Sequence, residues 1–301
     1  VENRNVAGVN SLSKQVKLPL LVFGPELLNK LTKLFLPIGK RVAIIGAGPA
    51  GLEAAYIAAQ RGHSVTLFER GEDIGGLLHP ASRPPFKDSL MELVRYFRHE
   101  LDALGVNIRC GVTVTGQLLQ AQAFDMTLLA TGSRPVIPRF AAELPNMTTA
   151  EHILLEAIKP GHRVLIIGGG MIGCELADFL GERGHAVTIL EMRPEVAQDM
   201  EWRARHTLMP RLERYGVTLL TGMEVMETAN TGRIRIRDAY GVEEWLEPFD
   251  TTAISVGYRP EKMLARELEH MRLPYKAIGD CVAPGKILDA MHQGLAAAYA
   301  L

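Results

Sequence analysis

Cysteine is scarce in this chain. Its 301 residues hold three, Cys110, Cys174 and Cys281, far apart in sequence. No C-x-x-C or C-x4-C pair occurs, which excludes a redox-active dithiol of the usual local kind, and no cysteine cluster is there to hold an iron–sulfur centre. Cys174 follows Gly173 at the expected start of a helix, a place where a thiol pKa can fall. A small residue packed against a sheet is the plainer reading. An excess of one charge is also missing. A net charge of -1 speaks against a binder of nucleic acid or of an anionic membrane. Long apolar runs are lacking too. Leu18–Pro37 is interrupted by Pro25, Glu26, Lys30 and Lys33, too short and too charged a stretch to span a bilayer. From Pro25 it reads as an amphipathic helix with Leu27, Leu28, Leu31, Leu34 and Phe35 on one face. That face is expected to bury against this chain, a missing domain or a subunit, with a membrane surface as the remaining option. The first residue is Val, so the N-terminus is expected to be cut or processed, and no signal-peptide pattern is visible. A cytoplasmic location is the expectation.

What is present is one pattern written twice. Arg41–Arg70 reads RVAIIGAGPAGLEAAYIAAQRGHSVTLFER, and Arg163–Met192 reads RVLIIGGGMIGCELADFLGERGHAVTILEM; about half of the positions agree. Each predicts a strand, a Gly-rich turn, a helix, a second strand and a closing acidic residue. A lone G-x-G-x-x-G is weak, and a plain βα connection can be as rich in glycine. Two copies, each after an apolar strand and each ending in Glu at the expected distance, point to dinucleotide binding. In the first copy Gly46 permits the tight turn, Gly48 lets a pyrophosphate come close, and Gly51 lets helix and strand pack. The helix N-terminus offers unpaired N–H groups to phosphate, and Glu69 can accept hydrogen bonds from ribose hydroxyls. Gly168, Gly170, Gly173 and Glu191 repeat these roles.

The remaining signals extend the repeat. A Gly- and Pro-rich loop, GEDIGGLLHPASRPPFK, follows Glu69. Leu90–Leu104 has helical apolar spacing and is capped by Gly105, and VNIRCGVTV reads as a strand. Phe124–Ala130 is a buried strand running into Thr131-Gly132-Ser133-Arg134-Pro135, and Phe249–Val256 runs likewise into Gly257-Tyr258-Arg259-Pro260, so the repeat covers whole domains. Arg203–Gly216 reads as a helix disturbed by Pro210, its arginines facing solvent rather than forming a phosphate patch. Tyr275–Asp280 is a short strand ending in Gly-Asp, ahead of the Ala-rich helix Lys286–Leu301. There Asp280 can accept from polyol hydroxyls, and the helix N–H groups can face negative charge on a reduced flavin.

With these residues in place, the chain resembles the flavoproteins with two dinucleotide-binding domains, the pyridine nucleotide-disulfide oxidoreductase-like proteins. The resemblance rests on GAGPAG with Glu69, IGG at 74–76, ATGSRP, GGGMIG with Glu191, and AIGDC at 277–281, and it covers nearly all of Gly39–Leu301. GHSVTLFERGEDIGGLL, PASRPPFK and IGDCVAPGKILDAMHQG are most similar to the C-terminal half of the 2,4-dienoyl-CoA reductase, enoate reductase and trimethylamine dehydrogenase family. The resemblance implies an α/β fold of two Rossmann-like domains, the second inserted into the first. It divides the chain into an N-terminal extension (1–38), an FAD-binding domain (39–140 plus 269–301) and an NAD(P)H-binding domain (141–268). It implies FAD contacts from Gly46, Gly48, Pro49, Ala50, Gly51, Glu69, Arg70, Gly76, Leu77, Ala130, Thr131, Gly132, Gly279 and Asp280. It implies pyridine nucleotide contacts from Gly168, Gly170, Met171, Ile172, Gly173, Glu191 and Gly257. NADH is expected, because Glu191 repels a 2′-phosphate, although Arg193 keeps NADPH open as an alternative. Hydride would pass from nicotinamide to flavin with no catalytic side chain and no metal. That family carries an FMN barrel and a four-cysteine motif ahead of the FAD domain. Neither is in these residues, so a redox partner domain or subunit bearing FMN or an iron–sulfur centre is expected. Homo-oligomerisation stays open. The expected function is an FAD-dependent NAD(P)H dehydrogenase module. The alternatives are a structural nucleotide-holding domain and a self-contained NAD(P)H oxidase or quinone reductase.

Overall fold

The computed structural model describes residues 39–301; the amphipathic segment after Pro25 lies outside them. In chain order the first unit contains β1 (Arg41–Ile45), α1 (Pro49–Gln60), β2 (Ser64–Phe68), α2 (Leu78–Ala81), α3 (Leu90–Ala103), β3 (Asn107–Arg109), α4 (Gly116–Gln122), β4 (Met126–Leu129) and β5 (Ser133–Pro135). The second contains β6 (Met147–Thr149), α5 (Ala150–Leu154), β7 (Arg163–Ile167), α6 (Met171–Glu182), β8 (Ala186–Glu191), α7 (Trp202–Arg214), β9 (Thr218–Thr221), β10 (Glu224–Thr228), β11 (Ile234–Arg237), β12 (Glu243–Leu246) and β13 (Thr251–Ile254). The chain then returns through β14 (Tyr258–Pro260), α8 (Met263–Met271), β15 (Lys276–Ala277) and α9 (Ile287–Tyr299).

Two five-stranded parallel sheets result, ordered β15-β4-β1-β2-β3 and β6-β13-β7-β8-β9. The strand that completes the first sheet comes from beyond the second sheet, so the second unit is an insertion. Parallel strands covered on both faces need an unbroken apolar run, and RVAII and RVLII supply it. Val42 and Ile44 face one core with Leu52, Phe97 and Leu101, while Ala43 and Ile45 face another with Phe68 and Leu268. Val164 and Ile166, then Leu165 and Ile167, divide in the same way in the second unit. Each fully buried large side chain contributes about 1.5–3 kcal/mol.

Several expectations are revised. Helix α8 buries Leu268 in the first unit's core, and Glu267 Oε1 accepts from Gly116 N at 2.7 Å. The chain has therefore rejoined the first unit before residue 269. The strand read over VNIRCGVTV is only β3, because Gly111 takes a positive φ of 71° and the chain turns back onto the loop after β2. There Gly111 N donates to Gly71 O and Val112 N to Glu69 O. Helix α7 runs through Pro210. Two of its four arginines are paired, Arg205 with Glu195 and Arg211 with Asp178, while Arg203 and Arg214 are exposed. A three-stranded antiparallel sheet, β10-β11-β12, that the sequence did not announce packs Ile234 and Ile236 onto the second parallel sheet.

The two units meet through paired parts. β5 and β14, the ends of the two repeats, form an antiparallel ribbon with Arg134 opposite Arg259. The PASRPPFK loop of the first unit reaches across as well. Arg83 Nε donates to Leu154 O at 3.1 Å and its guanidinium meets Glu156, while Lys87 pairs with Glu175 on α6.

Candidate functional site

The repeat builds the same corner twice. Gly46 and Gly168 have φ of 104° and 105°, and a Cβ on either would collide with a carbonyl oxygen, that of Ala130 or Ser255. A Cβ on Gly51 or Gly173 would collide with the carbonyl of Gly46 or Gly168. These four positions therefore serve the turn and the packing. Gly48 differs. It is the N-cap of α1, no side chain caps that helix, and a Cβ there would meet no protein atom within 4 Å. Pro49 opens the helix and Ala50 follows in its first turn. The space beside this N-terminus is open, which suits a pyrophosphate seated on free amides.

The acidic residues occupy matching places. Glu69 Oε2 accepts from Ala47 N and Oε1 from Gly71 N, both at 2.8 Å. Glu191 Oε2 accepts from Gly169 N at 2.6 Å and Oε1 from Arg193 N at 2.9 Å. Each carboxylate is thus held by two backbone donors and keeps further lone pairs free. Arg70 is exposed beside Glu69.

The third element of the first site is the return segment. Gly279 has φ of 68°, its N–H donates to Gln293 Oε1 at 2.8 Å, and it lies against Ala50. Asp280 accepts from Ser133 Oγ at 3.0 Å and from Gly285 N at 3.2 Å. Gly294 of α9 lies so close to the Ala50 carbonyl that a side chain there would collide. This brings the Gly-Asp corner to the start of α1. The N-terminus of α9, expected to face flavin, is already met by Asp289, whose Oδ2 accepts from Lys286 N at 3.0 Å. Gly76 crosses over Gly48, with Leu77 exposed next to it. Ala130 is buried under the Gly46 turn. Thr131 Oγ1 donates to Glu261 O at 3.1 Å, and Gly132 O accepts from Glu261 N at 3.0 Å. Gly257, at φ 111°, accepts through its carbonyl from Val136 N at 2.9 Å. Thr131, Gly132 and Gly257 therefore lie on the ribbon between the units.

The second helix N-terminus is not like the first. Met171 N donates to Asp199 Oδ1 at 2.8 Å, and a Cβ on Gly170 would stand 3.3 Å from Asp199 Oδ2. Ile172 is half-buried beside it. Neither Asp199 nor the Lys87–Glu175 pair, Ser133, Gln293 or Gly294 was found from the sequence as a site residue. A repeat aligned beyond its fingerprint into the loops could have shown Asp199.

The cysteines take no part in this chemistry. Cys174 is buried and donates to Gly169 O at 3.3 Å, and burial pushes its thiol up to about 12. The position at a helix start does not lower it. Cys281 is buried with its sulfur on Leu129 O and Ile278 O. Among the described residues no cluster of His, Cys, Asp and Glu could hold a metal, and no helix is long and apolar enough to cross a membrane.

Two parallel sheets, each with a Gly-rich corner and a terminal Glu, define a protein with two dinucleotide sites. The comparisons agree. The family described as pyridine nucleotide-disulphide oxidoreductase matches residues 40–294, and the chain belongs to it, a family whose members bind FAD and NAD(P)H. An NADH oxidase from Thermoanaerobacter brockii is 35% identical over 269 residues, covering 87% of this chain and 41% of that protein. A bilirubin reductase from Mediterraneibacter gnavus is 36% identical over 244 residues, covering 80% and 37%. The solved structure of a 2-naphthoyl-CoA reductase complex with 2-naphthoyl-CoA superposes with a TM-score of 0.80 at 28% identity, over 85% of this chain and 39% of that one. The chain thus spans about two-fifths of the length of these relatives.

Proposed function

We propose that the unit formed by residues 39–140 and the returning C-terminal segment holds FAD, that the inserted unit holds NADH, and that the chain passes electrons from NADH to a redox centre outside these residues. The observation that carries the reading is the open, uncapped N-terminus at Gly48 with Gly279 and Asp280 brought alongside it. The residues fit the group. Gly48 leaves room for the pyrophosphate, the fixed Glu69 carboxylate offers acceptors to a ribose, and Asp280 offers them to a polyol. FAD, when bound, supplies the hydride acceptor, and the protein supplies position. Glu191, with each oxygen held by a backbone N–H, meets the adenosine ribose of the coenzyme and disfavours a 2′-phosphate by like charge. The partner centre would be FMN or an iron–sulfur cluster, because the three cysteines here lie apart and two of them are buried.

The test is direct. The purified chain should carry the yellow flavin band, and rapid mixing with NADH should bleach it faster than mixing with NADPH at equal low concentration. Equal or faster bleaching by NADPH would overturn the coenzyme assignment, and a colourless protein that takes up no FAD would overturn the whole reading. The name of the Thermoanaerobacter brockii relative supports a second reading, with dioxygen as acceptor. Oxygen uptake without added partner, at the rate of flavin reduction, would favour it.

A further inference from the structure

The two nucleotide corners are the same down to the loop that follows the second strand. In the first unit Gly75 N donates to Ala47 O at 2.8 Å; in the second Ala197 N donates to Gly169 O at 2.7 Å. Ile74 and Val196 are both buried just before these bonds. The loops are therefore in register, and Leu77 and Asp199 stand at equivalent places. Leu77 is exposed and leaves the first N-terminus free. Asp199 instead turns its carboxylate onto the second, taking the Met171 amide. That amide is the first N–H of α6, one of those that a dinucleotide pyrophosphate would use. The first helix has no such donor to lose, since Pro49 stands there.

We infer that Asp199 is a resident anion on the pyrophosphate seat of the inserted unit, and that coenzyme binding has to displace it. The inference rests on the assignment of NADH to that unit. A dinucleotide brings two negative charges to a corner where the Glu191 carboxylate already stands, whereas Glu175 is paired with Lys87. Glu191, like Asp199, raises the Cys174 thiol electrostatically. Asp199 therefore lowers affinity twice, by holding a donor and by like-charge repulsion. It also holds the helix start together when no coenzyme is bound, as an N-terminal carboxylate does. The seat is thus self-filled at rest and is yielded on binding, which makes Asp199 a residue that sets coenzyme affinity without touching the reacting atoms.

The experiment titrates the flavin-replete chain with ADP-ribose, which carries the pyrophosphate but no nicotinamide. Binding is followed by calorimetry and by the fluorescence of Trp202, exposed three residues after Asp199. D199N keeps a hydrogen-bond acceptor and removes the charge; D199A removes both. Each should tighten ADP-ribose binding, D199A by about tenfold, and D199A alone should show a lowered Tm. E201Q, which removes a charge two residues away, should leave the affinity unchanged. Unchanged or weaker binding by D199N and D199A, or equal tightening by E201Q, would overturn the role of Asp199 while leaving the coenzyme assignment intact. No binding of ADP-ribose by any of the four proteins would overturn both.

Discussion

A side chain placed at position 48 would enter open space. The backbone there has φ of -78°, which valine tolerates, and no protein atom lies within 4 Å of a Cβ. Gly48→Val should therefore fold normally and lose its flavin, retaining less than about a tenth of the wild-type content by the binding penalty of a buried clash. Extraction of flavin from the purified variant checks this, and normal flavin content would place FAD elsewhere. The thiols give a second expectation at this scale. Burial raises the Cys174 thiol to about 12 and shifts Cys110 upward as well, but Cys110 is half-exposed and Cys174 is not. Below its folded pKa Cys174 stays a neutral thiol, so iodoacetamide at pH 8 should mark Cys110 first and leave Cys174 and Cys281 intact until the fold opens. Peptide mass mapping reads the order. The fingerprint glycines and both Glu residues were legible because the chemistry restricts residue type at those positions. Asp199 in its loop and Ser133 at the start of β5 were not, because a single polar residue gains meaning only from what the fold brings to it.

Among the elements, α6 and α7 show how a helix can be held against its own sequence. Pro210 gives up the bond its N–H would make to the His206 carbonyl, a loss that ordinarily kinks or breaks a helix. Here Arg211, the next residue, makes a forked contact with Asp178 of α6, with Nε at 3.0 and 3.1 Å and Nη2 at 2.8 Å from the carboxylate. Leu208 and Leu212 are buried on the same side. Asp178 is fully buried. Asp178→Ala should destabilise the chain by about 3 kcal/mol, because a partly buried guanidinium is left without its partner. Urea unfolding followed by circular dichroism measures it, and a change under about 1 kcal/mol would mean that the pair contributes no more than a surface contact. The long periodic segments, α1, α3, α6 and α9, were readable from apolar spacing. The short strands were placed, but their lengths were not legible. β3 and β15 are three and two residues long, set by neighbouring strands rather than by a pattern of their own. The β10–β12 sheet alternates charged and apolar residues too briefly to stand out.

At the level of the whole molecule, the proposed electron path leads out of the chain. Given NADH, the 301-residue protein should reduce a tetrazolium dye, which can take electrons at an exposed flavin edge. It should not turn over a dienoyl-CoA, since a separated and largely buried set of three cysteines cannot relay electrons as a cluster would. Robust turnover of the dienoyl-CoA by this chain alone would show a substrate pocket that the proposal lacks. The nesting of one unit in the other was legible from the repeat and the late Gly-Asp strand, whereas the place where the chain returns was not, because α8 carries no mark of the core it joins. The inserted unit leaves through β5 and comes back through β14, and these strands lie side by side, with Pro135 opposite Tyr258 and Ser133 opposite Pro260. The entrance and the exit are one doorway. Among the described residues no strand of the host sheet pairs with a strand of the lodged sheet, so the arrangement is a cassette: lengthening the lodged unit leaves the host strand order as it is, and an exchange has to keep only the ribbon and the partners of Arg83 and Lys87.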